Sequence, residues 1–370
     1  MKLHLTAPCH FGLEKTLAFE VRRAGGEDVQ VTDGRVNFSG TAETLVKASL
    51  TCSAAERIGV VIAKFKAQTF DDVFDNIKRL SAGDFFPQNA AFPVVKGQSI
   101  NSKLTSIPAL QRTLKKALAE AMSLAYKTKT LPESGALYPV RFFLHKDEFT
   151  VFLDSSGEGL HKRGYREKAG TAPIKETLAA GIIDIAKVRG NDIIIDPFCG
   201  SGTFLIEAAL KALSIPPCLN RGFAAEKWEF IPQGLWGQQR ELLRAGIKSD
   251  SEFMAYGYDS DPGAVKLTLE NARKAGVEKY IKCEVRDIKD FSYPAKPCKI
   301  ITNPPYAERM LEKVDTERIY KIMGEQFLPL GENKFYVITS DEKFEELFGQ
   351  KAGKNRKLYN GMLMCRLYVY

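Results

Sequence analysis

Asp192-Ile193-Ile194-Ile195-Asp196-Pro197-Phe198-Cys199-Gly200-Ser201-Gly202-Thr203 runs directly into Phe204-Leu205-Ile206-Glu207-Ala208-Ala209-Leu210. The first five residues are an apolar run closed by a carboxylate, the pattern of a buried strand. The last stretch is rich in strong helix formers and holds no breaker. Between them, Gly200 and Gly202 allow positive φ and leave the main chain open to a ligand. Strand, tight glycine turn and helix in that order predict a β-α unit of an open α/β sheet, with a nucleoside at the turn.

Spacing removes two competing loops. A phosphate-binding P-loop ends in Gly-Lys-Ser/Thr, whereas Gly202 is followed by Thr203. A nicotinamide fingerprint needs a third glycine at 205, which is Leu205. The turn is too short to cradle a pyrophosphate, and Asp196 would repel one. A nucleoside carrying positive charge fits better, and S-adenosylmethionine has both an ammonium and a sulfonium.

Two further β-α units follow. The run 253–258 leads into Asp259-Ser260-Asp261, and a carboxylate at a strand end can accept hydrogen bonds from ribose hydroxyls. Pro262 suits an early helix position, and 264–275 reads as a helix stopped by Gly276. The strand 280–285 ends near Asp287 and Ile288, where the carboxylate can accept the adenine amino group. Taken singly, each of these acids is more often a helix cap or a solvated loop charge; three at successive strand ends point to the ligand crevice.

A fourth strand, 298–302, ends in Asn303-Pro304-Pro305-Tyr306. The prolines forbid its continuation as helix or ladder, so an asparagine stands at a strand end with an aromatic ring three residues on. Such a tetrapeptide can simply turn the chain. Asn303 nevertheless offers an acceptor that cannot be protonated at neutral pH. With Tyr306 to stack on a flat ring, the group suits the exocyclic amine of a nucleobase.

The two motifs together resemble the amino-methyltransferases that use S-adenosylmethionine. More narrowly, the chain resembles THUMP-containing RNA guanine-N2 methyltransferases, a group often labelled adenine-N6 DNA methylases. It is similar to the N-terminal half of the bacterial 23S ribosomal RNA enzyme and to an archaeal transfer RNA enzyme. Further matching stretches are 160–166, 172–180 and 357–362. The resemblance implies an α/β, Rossmann-like class I methyltransferase domain over 191–370. A ferredoxin-like α+β unit (1–65), a THUMP domain (66–154) and a linker that closes the cofactor site (155–190) would precede it.

Carried over, it makes Asp196, Pro197, Phe198, Cys199, Gly200, Ser201, Gly202 and Thr203 the cradle of the methionine part. Asp259, Ser260 and Asp261 would hold the ribose, and Asp287 and Ile288 the adenine. Tyr165, Thr171 and Ala172 would close the site, while Asn303, Pro304, Pro305 and Tyr306 hold the target base. The Asn303 oxygen and the Pro304 carbonyl would accept both amine hydrogens, aiming the nitrogen lone pair at the methyl group. Asp196 and Asp259 lie much farther apart than the roughly 20 residues of a compact fingerprint. The excess, 214–250, contains Trp228 and Trp236 and is expected to cover or extend the base pocket.

The chain has 370 residues, enough for two or three cores, and its 44% hydrophobic and 26% charged content is that of a globular protein. No apolar run reaches the length of a membrane span, and the N-terminus is not a signal peptide, so the cytoplasm is the expected location. Seven cysteines without C-x-x-C pairing and four scattered histidines predict no metal and no disulfide framework. Of the net charge of +8, much falls between 96 and 131, with seven basic residues and one acidic. Within that stretch 107–126 has helical apolar spacing, with Arg112, Lys115 and Lys116 off the stripe. Lys96, Lys103, Arg112, Lys115 and Lys116 are therefore expected to contact the phosphates of structured RNA, the alternative being a solvated basic face.

Overall fold

The computed structural model describes residues 1–166, 174–291, 297–306, 310–331 and 333–370. The front half comprises β1 (Leu3–Pro8), α1 (Glu14–Arg23), β2 (Glu27–Thr32), β3 (Arg35–Gly40), α2 (Ala42–Thr51), β4 (Gly59–Lys66), α3 (Phe70–Lys78), β5 (Val94–Ile100), α4 (Ile107–Tyr126), β6 (Val140–His145) and β7 (Glu148–Asp154). Its strands form one sheet in the order β2-β3-β1-β4-β7-β6-β5. β4 pairs with β1 on one side and with β7 on the other, and its pairing with β7, after one register shift between Val61 and Ala63, continues across the expected 65/66 boundary.

Local chemistry sets the helices of this half. Thr41 and Thr44 cap each other reciprocally at the start of α2, and Thr69 and Asp72 do so at α3. Each such cap is worth about 1 kcal/mol. In α4, Leu110, Leu114, Leu118, Ala121 and Met122 are buried against the sheet, as the spacing predicts, and Pro108 lies in the first turn.

The back half comprises α5 (Glu176–Ile185), β8 (Ile193–Asp196), α6 (Thr203–Ala212), α7 (Leu235–Ala245), β9 (Met254–Asp259), α8 (Pro262–Lys274), β10 (Ile281–Val285), β11 (Lys299–Thr302), α9 (Met310–Phe327), β12 (Lys334–Thr339), α10 (Phe344–Phe348), β13 (Lys354–Asn360) and β14 (Leu363–Val369). The sheet order is β10-β9-β8-β11-β12-β14-β13. The first five strands are parallel; β14 runs antiparallel to both β12 and β13. β8 is central and apolar because both faces of the sheet are covered. The strand order reverses between β8 and β11, which opens a crevice at their carboxyl ends. Among the described residues no helix is long and apolar enough to cross a membrane.

Two expectations need correction. Ser155-Ser156-Gly157-Glu158-Gly159 has linker composition, yet it is clamped. Ser155 Oγ donates to the Ile58 carbonyl, Ser156 Oγ accepts from the Ile58 amide, and Arg221 donates to the carbonyls of Ser156, Glu158 and Gly159. The guanidinium that satisfies this turn comes from far along the sequence, so no local signal shows it.

The 214–250 segment does not extend the base pocket. Trp228 stacks on Tyr138 with centroids 5.2 Å apart, and its indole N–H donates to the Leu137 carbonyl at 2.9 Å. Trp236 stacks on Phe223, and Gln239 of α7 donates to Glu43 of α2. Both tryptophans are buried in the core of the front half. The insertion is anchored on the front half by these two side chains; burial of Trp228, whose N–H is paired, is worth ~2 kcal/mol or more, whereas that of Trp236 is offset by its unpaired N–H.

Candidate functional site

β8 carries Asp196 to its carboxyl end, where the side chain is buried. One oxygen accepts from the Phe198 amide at 3.1 Å and from the Thr302 hydroxyl at 2.6 Å. Burial pushes this carboxyl up to about 7, opposed by those two donors and assisted by the charge of Asp259. The chain then turns through Gly200 at φ +53° and Gly202 at φ +79°. A methyl group on Gly202 would sit 2.7 Å from the Thr268 side chain of α8, whereas one on Gly200 would meet nothing. Gly202 is required by packing, and Gly200 opens toward solvent.

The other carboxylates fix the turn. Asp259 accepts from the Gly200 amide at 2.9 Å and from the Asp261 amide at 3.0 Å. Asp261 caps α8 through the Gly263 amide, and Asp287 caps the turn Ile288–Asp290 through the Lys289 amide. The capping reading therefore holds for Asp261 and for Asp287, whose second oxygen faces the Lys289 ammonium at 3.8 Å.

Asn303 to Tyr306 face this loop across a cleft of about 810 Å³. Its walls include Asp196, Phe198, Cys199, Gly200, Ser201, Thr203, Asp259, Ser260 and Asp261 on one side and Asn303, Pro304, Pro305 and Tyr306 on the other. Pro197, Asp287 and Ile288 line an adjoining recess of about 180 Å³ that shares Phe198, Ser260 and Ile319 with the cleft. The Tyr306 hydroxyl donates to Asn303 Oδ1. The ring is partly buried, and burial with the neighbouring Cys365 holds its phenol well above the usual range.

Tyr165 does not line this cleft. It is buried behind α6, where its hydroxyl donates to Glu207 at 3.0 Å beside the Arg163–Glu207 ion pair. Thr171 and Ala172 lie outside the described residues. Gly202 is also off the wall, turned to α8. Sequence reasoning assigned no role to the apolar wall residues Ile174, Phe204, Leu267 and Ile319. It also missed Arg166, whose guanidinium donates to Thr203 Oγ1 at 3.2 Å, to the Ile174 carbonyl at 3.1 Å and to Glu176 at 2.9 Å. That side chain fixes two cleft residues at once. Among the described residues no group of three or more His, Cys, Asp or Glu could hold a metal.

The basic residues of the front half divide. Arg112, Lys115 and Lys116 border an open cavity of about 810 Å³ between β5 and α4. Lys115 is engaged there by Glu133 at 2.7 Å and by the Phe92 ring, 3.5 Å from its centroid. Arg112 and Lys116 are exposed. Lys96 lies on β5, and Lys103 donates to the Gln68 side chain at 2.7 Å.

Comparison with known proteins decides what this architecture is. Residues 163–369 match the RMKL-like methyltransferase domain, 4–59 the RlmL ferredoxin-like domain and 67–154 the THUMP domain. The chain belongs to the RMKL-like methyltransferase family. The expected fold, a class I methyltransferase domain behind ferredoxin-like and THUMP units, is the one it has. This RMKL-like chain is 42% identical over its whole length to a Bacillus subtilis protein with the provisional name RNA methyltransferase YpsC, 96% of which is covered. It is 32% identical, over 98% of its length, to the ribosomal RNA large subunit methyltransferase K/L of Psychromonas ingrahamii. It spans 49% of that relative, about half. The crystal structure of SMU.472, provisionally classed as a methyltransferase and complexed with SAH, superposes at a TM-score of 0.94 with 36% identity, covering 100% of this chain and 98% of that one.

Proposed function

We propose that this RMKL-like protein uses S-adenosylmethionine to methylate the exocyclic N2 amine of a guanine in large-subunit ribosomal RNA. The observation that carries the reading is the opposition of Asn303–Tyr306 to the Asp196–Thr203 turn across one cleft, at the point where the strand order reverses. The SAH bound by SMU.472 and the ribosomal RNA named for the K/L relative support it.

The residues fit the cofactor. A cleft of this volume accommodates a nucleoside with an amino-acid tail. Asp196 at its floor is a buried carboxyl lacking any cationic partner among the described ion pairs, suited to an ammonium group. Asp259 and the Asp287 recess would take the ribose and adenine. When bound, the cofactor supplies an electrophilic methyl group.

The amine of guanine is a weak nucleophile because its lone pair is delocalised into the ring. Asn303 Oδ1 and the Pro304 carbonyl accept its two hydrogens and turn the lone pair toward the methyl group. The amide oxygen has two acceptor sites, so it can serve the amine while Tyr306 holds it in place. Rate acceleration then comes from alignment and from stabilising the nitrogen as it becomes cationic. The tetrapeptide has no general base, and the proton leaves to water after transfer. A base inside an RNA stack must be drawn out to reach this cleft.

Nucleoside mass spectrometry of ribosomal and transfer RNA from a strain lacking the gene tests the proposal. Loss of one N2-methylguanosine from large-subunit RNA is expected. Loss confined to N6-methyladenine in DNA would overturn it.

A further inference from the structure

The final stretch, 351–370, holds five basic side chains (Lys351, Lys354, Arg356, Lys357 and Arg366) and no acidic one. It forms the β13–β14 hairpin. β14 runs against β12, with Arg366 opposite Thr339 and Val369 opposite Tyr336. The hairpin turn therefore projects past the carboxyl end of β12, on the edge of the sheet where β8 and β11 also end. Asn360 pairs with Leu363, leaving Gly361-Met362 as a two-residue turn. Gly361 has φ +66°, the conformation that tight hairpins reserve for glycine at this position.

The tip is apolar and in water. Met362 is 98% exposed and Leu363 44%. Just behind them, Cys365 packs with Tyr306, Leu358 and Leu367 in one cluster. On the flank, Phe11, itself 49% exposed, sets its ring edge-on to Tyr359 at 5.8 Å. Lysine and arginine on an edge strand discourage sheet-to-sheet pairing, which accounts for Lys354 and Arg356 on β13. That does not account for a methionine at a turn, where glycine, asparagine and aspartate are the usual residues.

An unbranched apolar side chain at the tip of a basic hairpin, which packs behind the wall of a pocket that needs an extruded base, fits one partner, a stack of nucleic-acid bases. Apolar wedges of this type enter between stacked bases and fill the space that a displaced base leaves. We infer that Met362, backed by Leu363, enters the RNA stack as the target base moves to Asn303–Tyr306, with Arg356 and Lys357 meeting the flanking phosphates. The inference rests on the RNA reading above. It assigns this hairpin to extracting the base, separately from the THUMP-containing front half.

Radiolabelled methyl transfer to RNA from a strain lacking the gene tests it, comparing wild type, Met362→Ser, Met362→Leu and Leu242→Ser. Leu242 is an equally apolar exposed residue on α7, away from the cleft. Met362→Ser should lose about tenfold or more in kcat/KM on folded RNA, where a base must be unstacked, and much less on short unstructured fragments of the same RNA. Met362→Leu should keep most of the activity, and Leu242→Ser all of it. Wild-type turnover of folded RNA by Met362→Ser, or equal losses on folded RNA and fragments, would overturn the wedge. The labelled nucleoside is read separately. Label in anything but N2-methylguanosine overturns the function reading while the ratio between variants still decides the wedge, and no label on any RNA with the wild type overturns both.

Discussion

The Thr302 hydroxyl donates to Asp196 Oδ1 at 2.6 Å, and both residues are buried. Thr302 immediately precedes Asn303, and Asp196 immediately precedes the glycine turn. One hydrogen bond between neighbouring strand ends thus sets the two motifs in register across the switch point. Thr302→Val keeps the shape but leaves a buried carboxyl short of a donor. A loss of about 1–3 kcal/mol in urea unfolding is expected, with Thr302→Ser close to wild type. A valine variant as stable as the wild type would show that the bond carries no weight.

The raised titration of Asp196 makes a pH prediction. A free aspartate ionises near 3.8, whereas burial delays Asp196 to about 7. Between those values the folded protein holds a proton that the unfolded chain has released. Stability from this group is therefore highest below pH ~4, falls as pH rises toward 7 and is level above, a cost of roughly 4 kcal/mol in all. Asp196→Asn retains an acceptor oxygen for Thr302 and Phe198 but cannot ionise. The difference between wild type and Asp196→Asn in chemical unfolding should shift in the variant's favour from pH 5 to pH 8.

If Asp196 receives the cofactor's ammonium group, the same proton governs binding. An ammonium at Asp196 requires the carboxylate, so calorimetric affinity for S-adenosylmethionine should rise from pH 5.5 to 7 and then flatten, by up to about tenfold per unit at the steepest. In Asp196→Asn the dependence should vanish and the affinity fall. An unchanged affinity in that variant would place the ammonium elsewhere.

What was legible in the sequence was local. Asp196–Thr203 and Asn303–Tyr306 announce themselves because a strand, a breaker and a helix or turn follow each other in the chain. The α4 stripe is legible for the same reason. Trp228 and Trp236 were misread because their partners, Tyr138 and Phe223, are chosen by tertiary packing, and a tryptophan near a pocket motif looks like part of the pocket. Ser155–Gly159 has the composition of a linker, and the side chain that clamps it, Arg221, lies more than sixty residues on. Tyr165 precedes Arg166, which holds two cleft residues, yet its own side chain lies behind α6, since Glu207 takes its hydroxyl. A contact between residues far apart in the chain leaves no periodicity to read.

Lys115 was likewise counted as a free charge, and its pairing with Glu133 separates it from its neighbours. If the THUMP face binds RNA, Arg112→Ala and Lys116→Ala should each weaken binding and reduce the slope of log K against log salt by about 0.7–0.9. Lys115→Ala should change that slope less, because its charge is already offset, and cost at most about 1 kcal/mol of stability. Filter binding to ribosomal RNA fragments over a salt series measures all three. Equal slopes for the three variants would refute the division of this face.

Asn303 gives the sharpest test of the chemistry. Its side chain lines the cleft, and its oxygen is held by the Tyr306 hydroxyl. Asn303→Ala removes an acceptor that matters most when the amine nitrogen becomes cationic, so the loss should fall on kcat rather than on cofactor affinity. About 3 kcal/mol, or some hundredfold, is expected, the scale seen when a preorganised transition-state hydrogen-bonding group is deleted. Tyr306→Phe keeps the ring and frees the amide to rotate, so it should cost kcat less than Asn303→Ala while leaving KM for RNA nearly unchanged. Tyr306→Ala loses the stacking surface as well and should raise that KM. Single-turnover methylation with saturating cofactor separates these effects. If Asn303→Ala turned over at near the wild-type rate, the amine would have to be oriented by some other group, and the reading of the tetrapeptide as the base pocket would fall.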